Sequence, residues 1–278
     1  MDTRIHLSSF IKHYALAIFC GLTFLLTFTV TFLPVPDELV PVVIVFIPAF
    51  MAIGLTALSE GKTGVRSLLA KLAQWRINLK WVLIALALAL VIRLTMSIIA
   101  LGLGIISTIQ FRPGGPTSYI LLGLIFFVFA VPEELGWRGY ALQKLLKQRT
   151  PLESSLIVGV LWGSLHLALL LPGMMNEGAA PLPTLLGLVG GSVLFTWLFV
   201  NSDGNILLTM LFHAAQSFFV IVNEGIGLNE QAWLMAGVYV VAALLLVMVV
   251  GPNLERRPIL GISQGLEPTR SDSPLARK

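Results

Sequence analysis

The 278-residue chain is 56% hydrophobic and only 12% charged, with a mean hydropathy of +0.90. Soluble globular domains carry about 25% charged residues, so a water-soluble domain is excluded. Repeated apolar runs of about 20 residues predict an all-α polytopic transmembrane helical bundle, with the lipid bilayer as its first partner. The net charge of +4 comes from basic residues distributed along the chain rather than gathered in a patch, which argues against a nucleic-acid partner.

Eight spans are expected, near 14–33, 39–58, 81–107, 118–137, 153–174, 182–201, 205–223 and 231–250, with both termini cytoplasmic. The first is read as an anchor, because its apolar stretch is too long for a signal peptide and no Ala-x-Ala-like site follows it. Cys20 lies within it as a small apolar filler. A single cysteine excludes an intramolecular disulfide or a thiolate metal cluster. Pro34 and Pro36 close the span, and Asp37-Glu38 turns the chain into the second. Residues 62–80 read as a basic amphipathic helix on the cytoplasmic surface.

The loops alternate in basic content. Arg4 and Lys12 precede the first span, and Lys62, Arg66, Lys71, Arg76 and Lys80 follow the second. Arg138, Lys144, Lys147 and Arg149 follow the fourth, and Arg256, Arg257, Arg270, Arg277 and Lys278 follow the eighth. Together these are 16 of the 18 basic residues. The opposite loops hold Asp37, Glu38, Glu177, Glu224 and Glu230, with Arg112 as their cation. The positive-inside rule then places both termini in the cytoplasm, in agreement with an even span count. Domain organisation is expected as N-terminal spans over 1–117, a core over 118–251 and a disordered cytoplasmic tail over 252–278.

Polar residues inside apolar spans are costly and mark function. Arg93, mid-span, is expected either to pair with Glu133 or Glu134 or to snorkel along a tilted helix. In Glu133-Glu134-Leu-Gly-Trp-Arg138, residues 134 and 138 are four apart and pair along one helical face. Glu133 then points about 100° away, free to act as a base. In Trp162-Gly-Ser-Leu-His166 the aromatic ring and the imidazole share a face. In the seventh span, His213, Gln216 and Ser217 share another. Gly159/Gly163 and Gly187/Gly191 are small-x-x-x-small pairs that let helices approach closely.

A carboxylate and two imidazoles on three helices have the composition of a hydrolytic zinc site or of a metal-free water-activating site. Glu133, His166 and His213 are the candidate metal ligands, and zinc the candidate cofactor. Neither His-Glu-x-x-His nor Gly-x-Ser-x-Gly occurs.

The three motifs together resemble the CPBP family, which comprises CAAX prenyl endopeptidases of the Rce1 type and Abi-like bacterial proteins linked to bacteriocin processing and immunity. Glu133-Glu134-Leu-Gly-Trp-Arg138 is similar to its Glu-Glu-x-x-x-Arg motif, Trp162 to His166 to Phe-x-x-x-His, and His213 to Ser217 to His-x-x-x-Asn. The resemblance covers roughly residues 120–220.

It implies a membrane-embedded endopeptidase acting on a membrane-associated peptide or protein, either prenylated at its C-terminus or a small bacterial peptide. It also implies that Glu133 activates water beside His166, that Glu134 and Arg138 orient the site, and that His213 stabilises the oxyanion. Two positions depart from the pattern: Trp162 stands for phenylalanine, and Ser217 for asparagine, with Gln216 one position earlier as a substitute donor. Two other classes fit the same residues. One is a non-proteolytic scaffold or immunity protein of the family; the other is a proton-coupled transporter with Glu133, His166, His213 and Arg93 as relays. The expected location is a multi-pass membrane position, in a prokaryote the plasma membrane.

Overall fold

The computed structural model describes residues 10–255, apart from 12, 35, 37, 38 and 224. Arg4, Lys12, Asp37, Glu38, Glu224 and everything from Arg256 onward therefore lie outside the described residues.

Among the described residues, eight principal helices follow the eight apolar runs: α1 Ala15–Thr31, α2 Val40–Ala70, α3 Leu79–Gly102, α4 Pro116–Gly136, α5 Pro151–His166, α6 Pro181–Asn201, α7 Ile206–Phe218 and α8 Leu228–Val250. The same residues form no strand, only an isolated antiparallel bridge between Phe111 and Val222. Six of the helices are long and apolar enough to cross a bilayer. Two shorter apolar helices, Ala15–Thr31 and Ile206–Ile221, complete the set. The chain is a multi-pass integral membrane protein, and its outward faces are correspondingly apolar: Phe50, Val91, Leu124, Val128, Leu244 and Val249 are all exposed.

Local sequence starts these helices where the structure begins them. Pro116, Pro151 and Pro181 stand in the first turns of α4, α5 and α6, where no intrahelical partner is lost. The Thr150 hydroxyl accepts from Glu153 N–H while the Glu153 carboxylate accepts from Thr150 N–H, a reciprocal cap on α5. Asn205 caps α7 by accepting from Leu207 and Leu208 N–H, and its amide donates to Gln74 O at 2.7 Å. That bond ties α7 to the segment following α2.

Three expectations are corrected in their extent by the structure. The backbone leaves helical geometry at Gly61 (φ +69°), so the basic stretch expected as a helix over 62–80 begins a second helical segment that runs to Ala70 and closes with a 3-10 turn at Lys71–Ala73. The chain then runs non-helically to Asn78. The fourth span does not end at 137: α4 passes into a π-helical turn, Trp137–Ala141, and a last helical turn, Leu142–Leu145. Arg138, read as a loop cation, is therefore fully buried in the bundle. Finally, residues 252–255 belong to the folded body. Leu152 N–H donates to Pro252 O at 3.0 Å, Asn201 Nδ2 donates to Leu254 O at 2.7 Å, and the Leu254 side chain is buried.

The core forms where α4 meets α2 and α7, and where α6 lies between α5 and α8. Small residues permit these approaches. A Cβ on Gly136 would lie 2.7 Å from the Pro48 carbonyl carbon, and one on Gly159 would lie 2.8 Å from Val189 Cα. One on Gly190 would lie 2.8 Å from the Tyr239 carbonyl carbon. The last approach brings α8 close enough for the Tyr239 hydroxyl to donate to Gln216 Oε1 on α7.

Candidate active site

Four helices meet around a cavity of about 670 Å³. Its wall includes Glu133 from α4, Trp162 and His166 from α5, and His213 and Ser217 from α7, with Pro48 and neighbouring apolar residues of α2 opposite. A smaller chamber of about 220 Å³ shares Trp162, His166, His213 and Ser217 with it.

The two adjacent carboxylates have separate environments. Glu134 is fully buried; its Oε1 accepts from Arg138 Nη1 at 2.8 Å and is 2.9 Å from His213 Nδ1. A carboxylate ionised against arginine only accepts, so His213 Nδ1 carries a proton. The Arg138 guanidinium lies over two rings, 4.7 Å from the centroid of Trp162 and 4.0 Å from that of Phe195. The ring faces stabilise a cation whose Nε and Nη2 have no hydrogen-bond partner. Glu134, Arg138 and His213 thus form one buried charged unit that fixes α7 against α4.

Glu133 faces the cavity instead. Its Oε2 accepts from Trp162 Nε1 at 2.7 Å. His166 Nδ1 lies 3.0 Å from Trp162 O, and a carbonyl can only accept. Nδ1 is therefore protonated in the neutral imidazole and Nε2 carries the lone pair. Trp162 also packs edge-on against both imidazoles, at 5.0 Å from His166 and 5.8 Å from His213.

Every candidate residue read from the sequence on α4, α5 and α7 therefore contributes to this one region. Glu133, His166, His213 and Ser217 line the cavity, Glu134 and Arg138 stand behind it, and Gln216 lines the smaller chamber. Arg93 does not pair with Glu133 or Glu134 and does not snorkel. It is 5% exposed and donates to Val222 O (2.7 Å), Asn223 O (3.1 Å) and, at longer range, Val220 O and Gln231 Oε1. Its backbone acceptors are carbonyls at and just beyond the unwound end of α7.

Three contributions go beyond the sequence reading. The indole N–H makes Trp162 more than a packing ring. Tyr239 holds one end of the Gln216 amide. Lys71 Nζ donates to Gly139 O at 2.8 Å and Gln143 Oε1 at 2.7 Å, bracing the π-helical turn that carries Arg138. Such turns widen a helix and leave carbonyls in need of donors. Only the aromatic character of Trp162 and the basic run at 62–80 hinted at two of these.

Among the described residues no three His, Cys, Asp or Glu side chains form a group that could hold a metal ion. Glu133, His166 and His213, the residues expected as zinc ligands, share one cavity wall.

Residues 115–219 match the family model described as "Type II CAAX prenyl endopeptidase Rce1-like". A curated relative, CAAX prenyl protease 2 of Methanococcus maripaludis, is 27% identical over 130 residues. That stretch covers 44% of this chain and 46% of the relative, so the match spans about half of that protein's length. The family match coincides with the three motifs, so the likeness lies in the segment that carries them.

Proposed function

We propose that the chain is a membrane-embedded endopeptidase that hydrolyses a peptide bond in a membrane-associated substrate, with Glu133 and His166 activating water. The observation that carries this reading is the presence of Glu133, His166, His213 and Ser217 on one cavity wall inside an apolar bundle. Polar groups at that depth need a shared purpose to offset their desolvation.

The geometry suggests a division of roles. Trp162 occupies Oε2 of Glu133, leaving Oε1 as the oxygen that takes a proton from water. His166 Nε2, whose tautomer is set by the Trp162 carbonyl, orients the same water through its lone pair. The water oxygen bonds to the scissile carbonyl carbon, and the carbonyl oxygen becomes an oxyanion. His213 in its imidazolium form, held by Glu134, presents Nε2–H to that oxygen, and Ser217 adds a hydroxyl. As the C–N bond breaks, Glu133 returns its proton to the leaving nitrogen, giving an acid and an amine. The bundle keeps bulk water away, which strengthens each of these interactions.

The relative's printed name points to prenylated CAAX-type substrates, and small bacterial peptides are the other candidate class. The test is cleavage of a panel of prenylated and unprenylated membrane peptides by purified protein, read by mass spectrometry. Wild type, Glu133→Gln and His166→Ala are run side by side, with and without a zinc chelator. Cleavage lost in both variants supports the reading. Chelator sensitivity would transfer the water-activating role to a metal. Folded wild type that cleaves nothing favours the scaffold or transporter class.

A further inference from the structure

We propose that the smaller chamber beyond the shared wall is a carboxylate subsite in which Arg93 and Gln216 receive the C-terminal carboxylate of the peptide being cleaved. The inference rests on the protease reading above and adds what lies on the far side of the scissile bond.

Arg93 lines this chamber and is 5% exposed, yet among the described residues it makes no ion pair. Its acceptors are backbone carbonyls and one amide oxygen. Carbonyls at a helix end supply roughly half an elementary charge, so among the described residues the guanidinium is solvated by dipoles and meets no carboxylate. A buried cation in that state draws an anion into any space beside it.

Gln216 adds a second donor. Tyr239 donates to its Oε1, which turns the NH₂ group away, and that Nε2 is buried with no hydrogen-bond partner. A buried amide left unsatisfied is costly unless a ligand completes it. The chamber's volume of about 220 Å³ exceeds several times the ~30 Å³ share of one liquid water. Trp162, His166, His213 and Ser217 separate it from the larger, predominantly apolar cavity. A peptide crossing that wall has its membrane-anchored part in the apolar cavity and its free end beside Arg93. The carboxylate then meets a guanidinium and an amide, and its position limits how many residues lie beyond the cut.

The experiment uses paired membrane-anchored peptides identical except for a C-terminal carboxylate or carboxamide, with wild type, Arg93→Gln, Arg93→Lys and Gln216→Leu. Wild type is expected to favour the acid by roughly 10- to 100-fold in kcat/KM, the scale of a charge-assisted contact. Arg93→Gln brings the ratio near one while the amide is still cleaved, and Arg93→Lys retains part of it. Gln216→Leu reduces the ratio without touching the Arg93 contacts to the 220–223 turn, which covers a failure of Arg93→Gln to fold. Equal wild-type cleavage of acid and amide, or an unchanged ratio in folded variants, overturns the subsite. Should wild type cleave neither peptide, the protease reading fails separately. Thermal shift with short apolar peptide acids and amides then decides the subsite: acid-selective stabilisation lost in Gln216→Leu supports it, and equal shifts overturn it.

Discussion

The indole N–H of Trp162 donates to Glu133 Oε2 at 2.7 Å, while the backbone carbonyl of the same residue lies 3.0 Å from His166 Nδ1. One residue therefore orients both groups proposed to handle the water: a carboxylate through its side chain and an imidazole through its backbone. Its ring also covers Arg138 at 4.7 Å. A phenylalanine here would keep the ring and the carbonyl contact but would leave Glu133 without its donor.

Trp162→Phe thus separates packing from hydrogen bonding. Loss of a hydrogen bond to a charged acceptor is worth about 1.5–3 kcal/mol, so kcat is expected to fall roughly 10- to 100-fold with KM little changed. Steady-state kinetics on a cleaved peptide, alongside a melting curve, provides the check. Unchanged kcat would show that the ring alone matters.

The buried unit behind the cavity makes a prediction about stability. Glu134 and Arg138 are both fully buried, so removing either strips the other of its counter-ion in the bundle, with His213 as the remaining partner of Glu134. Glu134→Leu or Arg138→Leu is expected to cost about 3–5 kcal/mol. A Glu134→Leu, Arg138→Leu double variant removes both charges and should cost less than the sum of the single changes. Unfolding in detergent measures all three, and strictly additive losses would refute a coupled pair.

The eight helices were legible because each needs a long apolar run, a demand that composition cannot hide. The three motifs were legible because helical spacing places residues four apart on one face, as Glu134 and Arg138 show. What escaped depends on contacts between distant segments. Arg138 resembles any loop cation until the π-helical turn carries it inside. Arg93 found carbonyls at the unwound end of α7, an acceptor no hydropathy pattern marks. Tyr239 lies on α8, outside the motif-bearing stretch, and reaches Gln216 only because Gly190 lets two helices touch. Trp162 stands where the family pattern has phenylalanine, a comparison that marks its ring and says nothing of its nitrogen.

That helix contact can be probed with one methyl group. A Cβ at position 190 would lie 2.8 Å from the Tyr239 carbonyl carbon and 2.9 Å from its oxygen, both backbone atoms that cannot rotate away. Gly190→Ala must therefore push α6 from α8, at about 1–3 kcal/mol. Gly237, also on α8, has open space where a Cβ would stand, with nothing within 4 Å. Gly237→Ala is expected to be neutral or stabilising by about 0.5–1 kcal/mol through reduced backbone freedom. Melting temperatures that move equally for both variants would contradict the close α6–α8 approach.

Orientation in the membrane is open to a direct chemical test. With Arg138 moved into the bundle, the remaining basic residues still lie overwhelmingly on alternate connections, and Lys62, Arg66, Lys71, Arg76 and Lys80 all fall between the end of the second apolar run and the first turn of α3. Retention of such loops in the cytoplasm follows from their lysine and arginine content. Ser67 lies in that segment and is exposed, and Asn229, near the start of α8, is exposed on what the alternation makes the opposite side. In a Cys20→Ser background, a membrane-impermeant maleimide applied to intact cells is expected to label Asn229→Cys. Ser67→Cys should react only after permeabilisation. The reverse pattern would invert the protein and place both termini outside. Labelling of both positions from one side would instead break the alternation and require a different number of crossings between α2 and α8.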